Sequence, residues 1–297
     1  MRIIIVLLLL CGSAASADVY LGMPDGKGSY EQLVETYDDF LVWLDADDTR
    51  KDFDSAAIDE RRRAIGDFHA RLEALAVRGW PREQQSEFLA VRARIDQEHF
   101  RLNVTRPWAR DPGFYVDQML YLTFTELPLE GDALQELRDK LGTIPSLVSN
   151  AMGNLDDVAA DYADLAIFNL SNADGVGHGF PYRSTPPAGV IGWYDDLLGR
   201  AEKQQPELRD DIVAARDAIE AFRAWLLDNR TDMTGLAGVG RDNFNWYLKH
   251  VKLMPFTTDE IVVLGERELN RLWSVYALER HRNRNLAEIA LPATADE

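Results

Sequence analysis

Apolar side chains recur at helical spacing along almost the whole chain, and this periodicity limits the fold more than any other sequence feature. One example follows the capping-box pattern at residues 29–32. Its apolar residues share one helix face: Leu33, Tyr37, Phe40, Leu41 and Leu44. No run of alternating apolar and polar residues is bounded by turns, and no strand–helix–strand rhythm occurs. The sequence therefore predicts an all-α fold built as a multi-helix array.

The spacing also predicts where the helices lie and where the chain interrupts them. After the first helix, the predicted ranges are about 55–77, 81–103, 131–142, 145–154, 156–170, 187–203, 206–228, 241–251 and 258–285. A long irregular loop near 170–187 contains six Gly or Pro residues, and such a stretch is typical of a lid, a binding loop or a linker. We therefore expect a possible subdivision near 171–187. A second Gly-rich turn, at 234–240, precedes the last two helices.

Residues 1–17 have the pattern of a secretory signal peptide: a basic start, an apolar run and small residues ending in A-S-A. The apolar run is shorter than the roughly 20 residues that span a bilayer. We expect cleavage before Asp18 and export of residues 18–297 to the periplasm or the extracellular space. Lipid attachment at Cys11 is the alternative, disfavoured because Leu10 stands where such signals have a small residue.

The composition disfavours some classes of partner. Fifty Asp and Glu against 32 Lys and Arg give a net charge of −18, which repels nucleic acid and anionic membranes. No later stretch approaches membrane-spanning length, so no membrane contact is expected after signal cleavage. Signal cleavage would also remove Cys11, the single cysteine, so the mature chain must be held by an ordinary core rather than by disulfides.

The search for catalytic and metal motifs gives no predicted catalytic residue, metal ligand or cofactor in this chain. The five histidines are scattered, no two being three or four positions apart, and neither H-E-x-x-H nor G-x-S-x-G occurs. His69 and His99 are expected at the surface or its boundary. His178 lies between two glycines, which would let a ligand approach closely, although a solvent-exposed loop position is the simpler interpretation.

One carboxylate falls within an apolar stripe of the last predicted helix. At about 100° per residue, Glu268 lies among four apolar residues that share a face: Ile261, Leu264, Leu272 and Val275. A carboxylate that faces a core must be paired, protonated or solvated. The pattern therefore predicts that Glu268 is mostly buried and within reach of an Arg or Lys.

Two aromatic pairs, Trp193-Tyr194 and Trp246-Tyr247, are typical of surfaces on which sugars stack. On the helix at 241–251, however, Tyr247 shares a face with Phe244, Leu248 and Val251, which favours a core position. Trp246 and His250 lie four positions apart on another face and could line a cleft.

Two segments resemble the bacterial domain-of-unknown-function family 885. The first is R-P-W-A-R-D-P-G-F-Y at residues 106–115, and the stronger is G-V-G-R-D-N-F-N-W-Y-L at 238–248, continuing through 253–269. The resemblance extends from about residue 30 to the end. It implies a largely helical relative of gluzincin-type zinc metallopeptidases, with a zinc site in a motif like H-E-x-x-P-G-H beyond residue 297.

The resemblance implies that residues 18–297 form the helical N-terminal half of such a protein, with zinc expected in a full-length relative and not here. This half would form one wall of a substrate cleft. Arg241, Tyr247, His250 and His178 are the candidates for positioning a peptide substrate. Two alternatives remain open: a non-catalytic periplasmic binding or scaffold protein, and a helical-toroid enzyme acting on glycans. The sequence does not specify the oligomeric state.

Overall fold

The computed structural model describes residues 22–48, 53–172 and 187–287, and the regular secondary structure within them is helical. Its α-helices are α1 (Tyr30–Asp48), α2 (Ser55–Glu73), α3 (Arg82–Phe100), α4 (Pro107–Arg110), α5 (Gly113–Leu120), α6 (Gly131–Asn154), α7 (Ala160–Ser171), α8 (Gly189–Gln204), α9 (Arg209–Asn229), α10 (Arg241–His250) and α11 (Thr258–Arg282). Among these residues the β-interaction is limited to an isolated bridge between Gly28 and Leu75. The all-α prediction is confirmed.

Helix α6 corrects the prediction of two helices at 131–142 and 145–154. Pro145 lies inside one continuous helix, although proline cannot donate the helical hydrogen bond and its ring crowds the preceding turn. The buried residues continue on one face on both sides of it: Leu137, Leu141, Ile144, Leu147, Val148 and Ala151. Packing of this stripe explains why the helix does not end at the proline.

The chain divides into two compact units, residues 1–239 and residues 240–297, which we call the N-terminal unit and the C-terminal unit. The predicted loop near 170–187 falls mostly on residues 173–186, which lie outside the described part of the chain. The subdivision predicted there therefore stays a prediction.

The core of the N-terminal unit is centred on α9, which packs on α6, α7 and α8. One face of α9 is completely buried and repeats every three or four residues: Ile212, Ala215, Ile219, Phe222 and Leu226. The start of α8 approaches the end of α7 closely. Gly189 has φ +70°, and a Cβ there would lie 2.5 Å from the Leu170 carbonyl carbon, so glycine is required at this crossing.

Charged residues are also buried in the N-terminal unit, where α1, α2 and the end of α3 meet. The side chain of Arg61 is 1% exposed and donates to Asp47 at 2.5 Å. Arg101 contacts both Asp47, at 3.4 Å, and Glu98, at 2.7 Å. Because the two buried carboxylates share these guanidinium partners, their desolvation is compensated.

The C-terminal unit is the pair α10 and α11, and it differs from the N-terminal unit in burial. Leu248 is buried, whereas α11 buries none of its residues. Its helix start is well defined, because Thr257 and Glu260 form a capping box. Local signals thus fix the helix, while its apolar side chains remain in contact with solvent.

No described helix combines the length and apolar character needed to cross a bilayer.

Candidate functional site

Within the N-terminal unit, one arginine of segment 106–115 contacts the Gly-rich turn at 234–240. Arg110 on α4 is buried, and its guanidinium donates to the carbonyls of Leu236, at 2.5 Å, and Gly238, at 2.9 Å. It also lies 3.2 Å from the carboxylate of Asp157. Tyr162 donates its hydroxyl proton to the Ala237 carbonyl. The early motif therefore holds the Gly-rich turn that leads to residue 240.

Backbone distortion precedes this arginine. Helix α3 continues into a π-helical segment, Arg101–Thr105, and Arg106 then adopts a left-handed conformation with φ +40°. This departure from α-helix turns the chain so that Arg106 contacts Asp157 at 2.6 Å. Such π-bulges are frequent at functional sites, and here the bulge directs two arginines toward the same carboxylate.

A cavity of about 290 Å³ adjoins the turn. Its lining includes Asp156, Asp157, Asp232 and Gly235. Gly235 approaches the backbone so closely that a Cβ would lie 2.5 Å from the Asp157 carbonyl oxygen, and its amide donates to the Val158 carbonyl at 2.8 Å. Arg106 and Arg110 both contact Oδ2 of Asp157, so the carboxylate is already partnered by protein cations.

Asp111 and Tyr115 show how burial changes ionisation beside this motif. Burial raises the pKa of the Asp111 carboxyl, although the Gly113 amide donates to it at 2.8 Å and favours its charged form. Burial also raises the pKa of Tyr115 to about 12. The Tyr115 hydroxyl donates to the Trp108 carbonyl at 2.7 Å, so it stays protonated and holds the motif together.

Three of the predicted substrate-positioning residues lie on α10. Arg241 binds Asp259 at 3.0 Å. Tyr247 stacks on Phe244, with ring centroids 6.3 Å apart. His250 stacks on Trp246. His178, the fourth candidate, lies outside the described residues.

The predicted pairing of Trp246 with His250 is present as a ring stack. Their centroids are 4.5 Å apart and their planes differ by 10°. The core interpretation of the other face is right for Leu248, which is buried, and wrong for Phe244, which is 41% exposed. The reason is that α10 has little packed against it within its own unit.

The side chain of Asn245 joins helices α10 and α11, in addition to the ion pair between Arg241 and Asp259. The carboxamide oxygen of Asn245 accepts from the amide of Thr258 at 2.8 Å and from its hydroxyl at 2.6 Å. The Thr257 backbone and hydroxyl donate to Glu260, which lowers the pKa of that carboxyl. Asn245 therefore orients the helix pair at the first turn of α11.

The prediction for Glu268 is half right. The carboxylate is within salt-bridge reach of Arg271, at 2.5 Å, and this hydrogen bond lowers its pKa. The prediction of burial is wrong, because Glu268 is exposed. The stripe on which the prediction rested is real, but no described residue covers it.

Trp193 and Tyr194 do not form a sugar-stacking surface. They are 3% and 0% exposed, and the Tyr194 hydroxyl donates to the Met119 carbonyl at 2.9 Å. Trp193 packs edge-on against Phe124. Their helix, α8, turns these rings into the core, which removes the support they gave to a glycan-active enzyme.

The sequence analysis missed a histidine pair across α2 and α3. The rings of His69 and His99 lie 5.4 Å apart, and His69 Nε2 lies 2.9 Å from the Asp96 carboxylate. His69 belongs to a different helix from the other two, so spacing within one helix could not reveal the group. In the part of the chain that the structure describes, no three His, Cys, Asp or Glu side chains converge as a metal site. The described residues therefore do not fit a catalytic zinc, which needs about three protein ligands.

The comparisons with known proteins concern the fold. No family model and no curated protein matches this chain. Its structure is similar to that of a Shewanella oneidensis protein regarded as a lipoprotein, whose function is unknown, with a TM-score of 0.63 and 14% sequence identity. The similarity covers 91% of this chain and 50% of that one. The chain thus spans about half the length of the structure that it resembles, and at this identity the likeness shows a shared fold.

Proposed function

We propose that this chain is the helical, cleft-forming N-terminal portion of an exported protein related to zinc metallopeptidases, with the zinc motif outside residues 1–297. The observation that carries the proposal is the contact of Arg110 with the carbonyls of Leu236 and Gly238. The contact with Gly238 links segment 106–115 to the first residue of segment 238–248, the two segments on which the resemblance rests. A chain that spans 50% of a similar structure is consistent with one half of a larger protein.

The contribution of this portion would be to position a peptide substrate. The rings of Trp246 and His250 stack on each other on α10, and Asn245 fixes the start of the next helix. Aromatic side chains of this kind suit contact with the apolar side chains of an extended peptide. Arg241 and Tyr247, on the same helix, would contribute to the shape of this wall.

Export of the chain belongs to the same proposal. Its support is the signal pattern of residues 1–17, and the similar Shewanella protein is itself regarded as a lipoprotein. Mass spectrometry of the mature N-terminus is expected to find Asp18. A lipid-modified Cys11 would agree with export and would mean that the protein is anchored by a lipid. A cytoplasmic protein that retains Met1 would contradict export.

Zinc titration and peptide cleavage test the peptidase part. We expect purified residues 18–297 to show neither submicromolar zinc binding nor turnover. A protein extended by the coding sequence that follows codon 297 in the genome is expected to bind zinc and to cleave peptides in a chelator-sensitive manner. Chelator-sensitive cleavage by residues 18–297 alone, or an inert extended protein, would contradict the proposal.

A non-catalytic binding or scaffold role is the second candidate. The observation in its favour is the exposed apolar side of α11, because large apolar patches of this kind usually contact another polypeptide. A stop codon directly after codon 297, together with a polypeptide partner that binds α11, would favour this role over the first.

A further inference from the structure

One side of α11 is apolar and exposed along most of the helix. With the turn angle of an α-helix, the large apolar side chains on this side are Ile261, Val262, Leu264, Leu269, Leu272, Trp273, Val275 and Tyr276. All except Ile261 are at least 40% exposed. Burial of an apolar face supplies most of the stability of a helix in a folded protein. The described residues therefore leave this 25-residue helix without the partner that its sequence requires.

The centre of the apolar side has the spacing of a helix–helix contact. Five residues at alternating steps of three and four lie within about a quarter of the circumference: Val262, Gly265, Leu269, Leu272 and Tyr276. Glycine disfavours a helix interior, and a Cβ at Gly265 would meet no other heavy atom within 4 Å. No described residue thus explains this glycine, whereas a second helix could approach the backbone closely at that point. The pattern favours a helix as the occupant.

Helix α10 is too short to be this occupant. It has 10 residues against the 25 of α11, which correspond to roughly 15 Å and 37 Å. The polar contacts between the two helices lie at the start of α11, where Asn245 binds Thr258 and Arg241 binds Asp259. The apolar side beyond this first turn needs a longer partner.

Two carboxylates lie on the same side of α11, and both are compatible with its being covered. Glu268 binds Arg271 and Glu279 binds Arg282, each pair within the helix. A carboxylate that is buried together with its cation keeps a compensated charge. An apolar helix face can therefore pack here without supplying a charge of its own.

The similar structure from Shewanella oneidensis supplies the argument for which polypeptide contains the covering helix. Its fold matches 91% of this chain but only 50% of its own length, so that protein has about as much chain again in the same polypeptide. Helix α11 is the last helix among the described residues, so a segment that followed residue 297 would be tethered close to its apolar side. Such a tether gives a high effective concentration, which favours this segment over a separate protein.

We propose that the apolar side of α11 is covered by a helix of the polypeptide encoded after codon 297, packed along the five residues from Val262 to Tyr276. Helix α11 is then the place where the two portions of the longer protein meet. The inference rests on the proposed function only in that the chain continues beyond residue 297, and it does not depend on zinc or on peptide cleavage.

Cysteine accessibility tests the inference, because residues 18–297 contain no cysteine. Leu272→Cys places a thiol on the apolar side, and the matched control Ser274→Cys places one on the opposite side. Both are made in residues 18–297 and in the protein extended by the coding sequence after codon 297, and the rate of maleimide labelling is measured. Both thiols should label rapidly in residues 18–297, where both positions are exposed. In the extended protein, labelling of Leu272→Cys should slow by about tenfold or more and that of Ser274→Cys should not change.

The extended protein without an introduced cysteine gives the labelling background, and circular dichroism verifies that each variant is folded. Equal labelling of Leu272→Cys in the two proteins would overturn the inference, as would a stop codon directly after codon 297. Labelling of Leu272→Cys that slows with rising concentration of residues 18–297 would also overturn it, and would assign the apolar side to a second copy.

Zinc binding and peptide cleavage by the extended protein are measured separately, so that the two proposals can fail independently. A protected Leu272→Cys in an extended protein without activity would overturn the proposed function and support this inference. An active extended protein in which Leu272→Cys stays accessible would overturn this inference alone.

Discussion

The N-terminal and C-terminal units use similar helices in opposite ways. Residues 1–239 carry 41 acidic and 24 basic side chains, whereas residues 240–297 carry nine and eight. Phe222 on α9 is fully buried, while Trp273 on α11 is 60% exposed. The first unit buries its apolar residues in its own core, and the second presents them to solvent. Amphipathic periodicity therefore defines a helix face in both units, but it does not specify what covers that face.

Paired aromatic truncations are expected to give the largest difference between the units. Phe222→Ala removes a fully buried ring and should destabilise the protein by about 3–5 kcal/mol. Trp273→Ala removes an exposed ring and should change the stability of dilute, monomeric protein by less than about 0.5 kcal/mol. Urea unfolding followed by circular dichroism measures both. Equal losses would mean that the exposed apolar side of α11 is covered by another part of the chain.

Paired carboxylate truncations give the next largest difference. Asp47→Ala leaves the side chain of Arg61, which is 1% exposed, without its nearest carboxylate and should cost about 3–5 kcal/mol. Glu268→Ala breaks an exposed pair with Arg271 and should leave the melting temperature unchanged. Calorimetry measures the melting temperatures of the two variants. A clear fall in melting temperature for Glu268→Ala would indicate that this carboxylate is buried after all.

The pH dependence of stability should have opposite signs for the carboxyls of Asp111 and Glu268. This is the smallest of the three expected differences between the units. Burial raises the pKa of Asp111 in the folded state, so its contribution to stability increases as pH falls through that raised pKa. The hydrogen bond from Arg271 lowers the pKa of Glu268, so its contribution is present above the ordinary glutamate pKa and is lost as pH falls through the lowered one.

Asp111→Asn and Glu268→Gln test these signs in unfolding experiments across the acidic range. Asp111→Asn should remove a gain in stability on acidification, while keeping the acceptor for the Gly113 amide. Glu268→Gln should remove a small loss of stability on acidification. Added salt should reduce this loss in the wild type, because the pair of Glu268 with Arg271 is exposed. Identical pH profiles for the wild type and Asp111→Asn would contradict the burial of this carboxyl.

The helical fold was predictable because the spacing of apolar residues is a local property. Pro145 shows the first limit: the proline predicted a break, but continuous packing of the α6 stripe outweighs the lost hydrogen bond. Glu268 shows the second, since its stripe exists and is uncovered. His69 and His99 show the third, because they lie on two different helices that the fold brings together. Each of these limits concerns which elements pack together, and this depends on the tertiary structure rather than on local sequence.

The candidate site was predictable to a lesser degree. The stacking of Trp246 on His250 followed from a spacing of four on one helix. The role of Arg110 did not, because its acceptors are carbonyls 126 and 128 positions further along the chain. Main-chain acceptors leave no residue-type signal in a sequence. The sequence showed the segment at 106–115 that contains Arg110, but it did not indicate the carbonyls that Arg110 contacts.

Hydrogen exchange of residues 18–297, resolved by peptide, tests the contrast between the units most directly. In dilute protein, we expect the amides of α9 to exchange at the rate of global unfolding and those of α11 to exchange far faster, because α11 buries none of its residues. Protection of α11 equal to that of α9 would contradict the account.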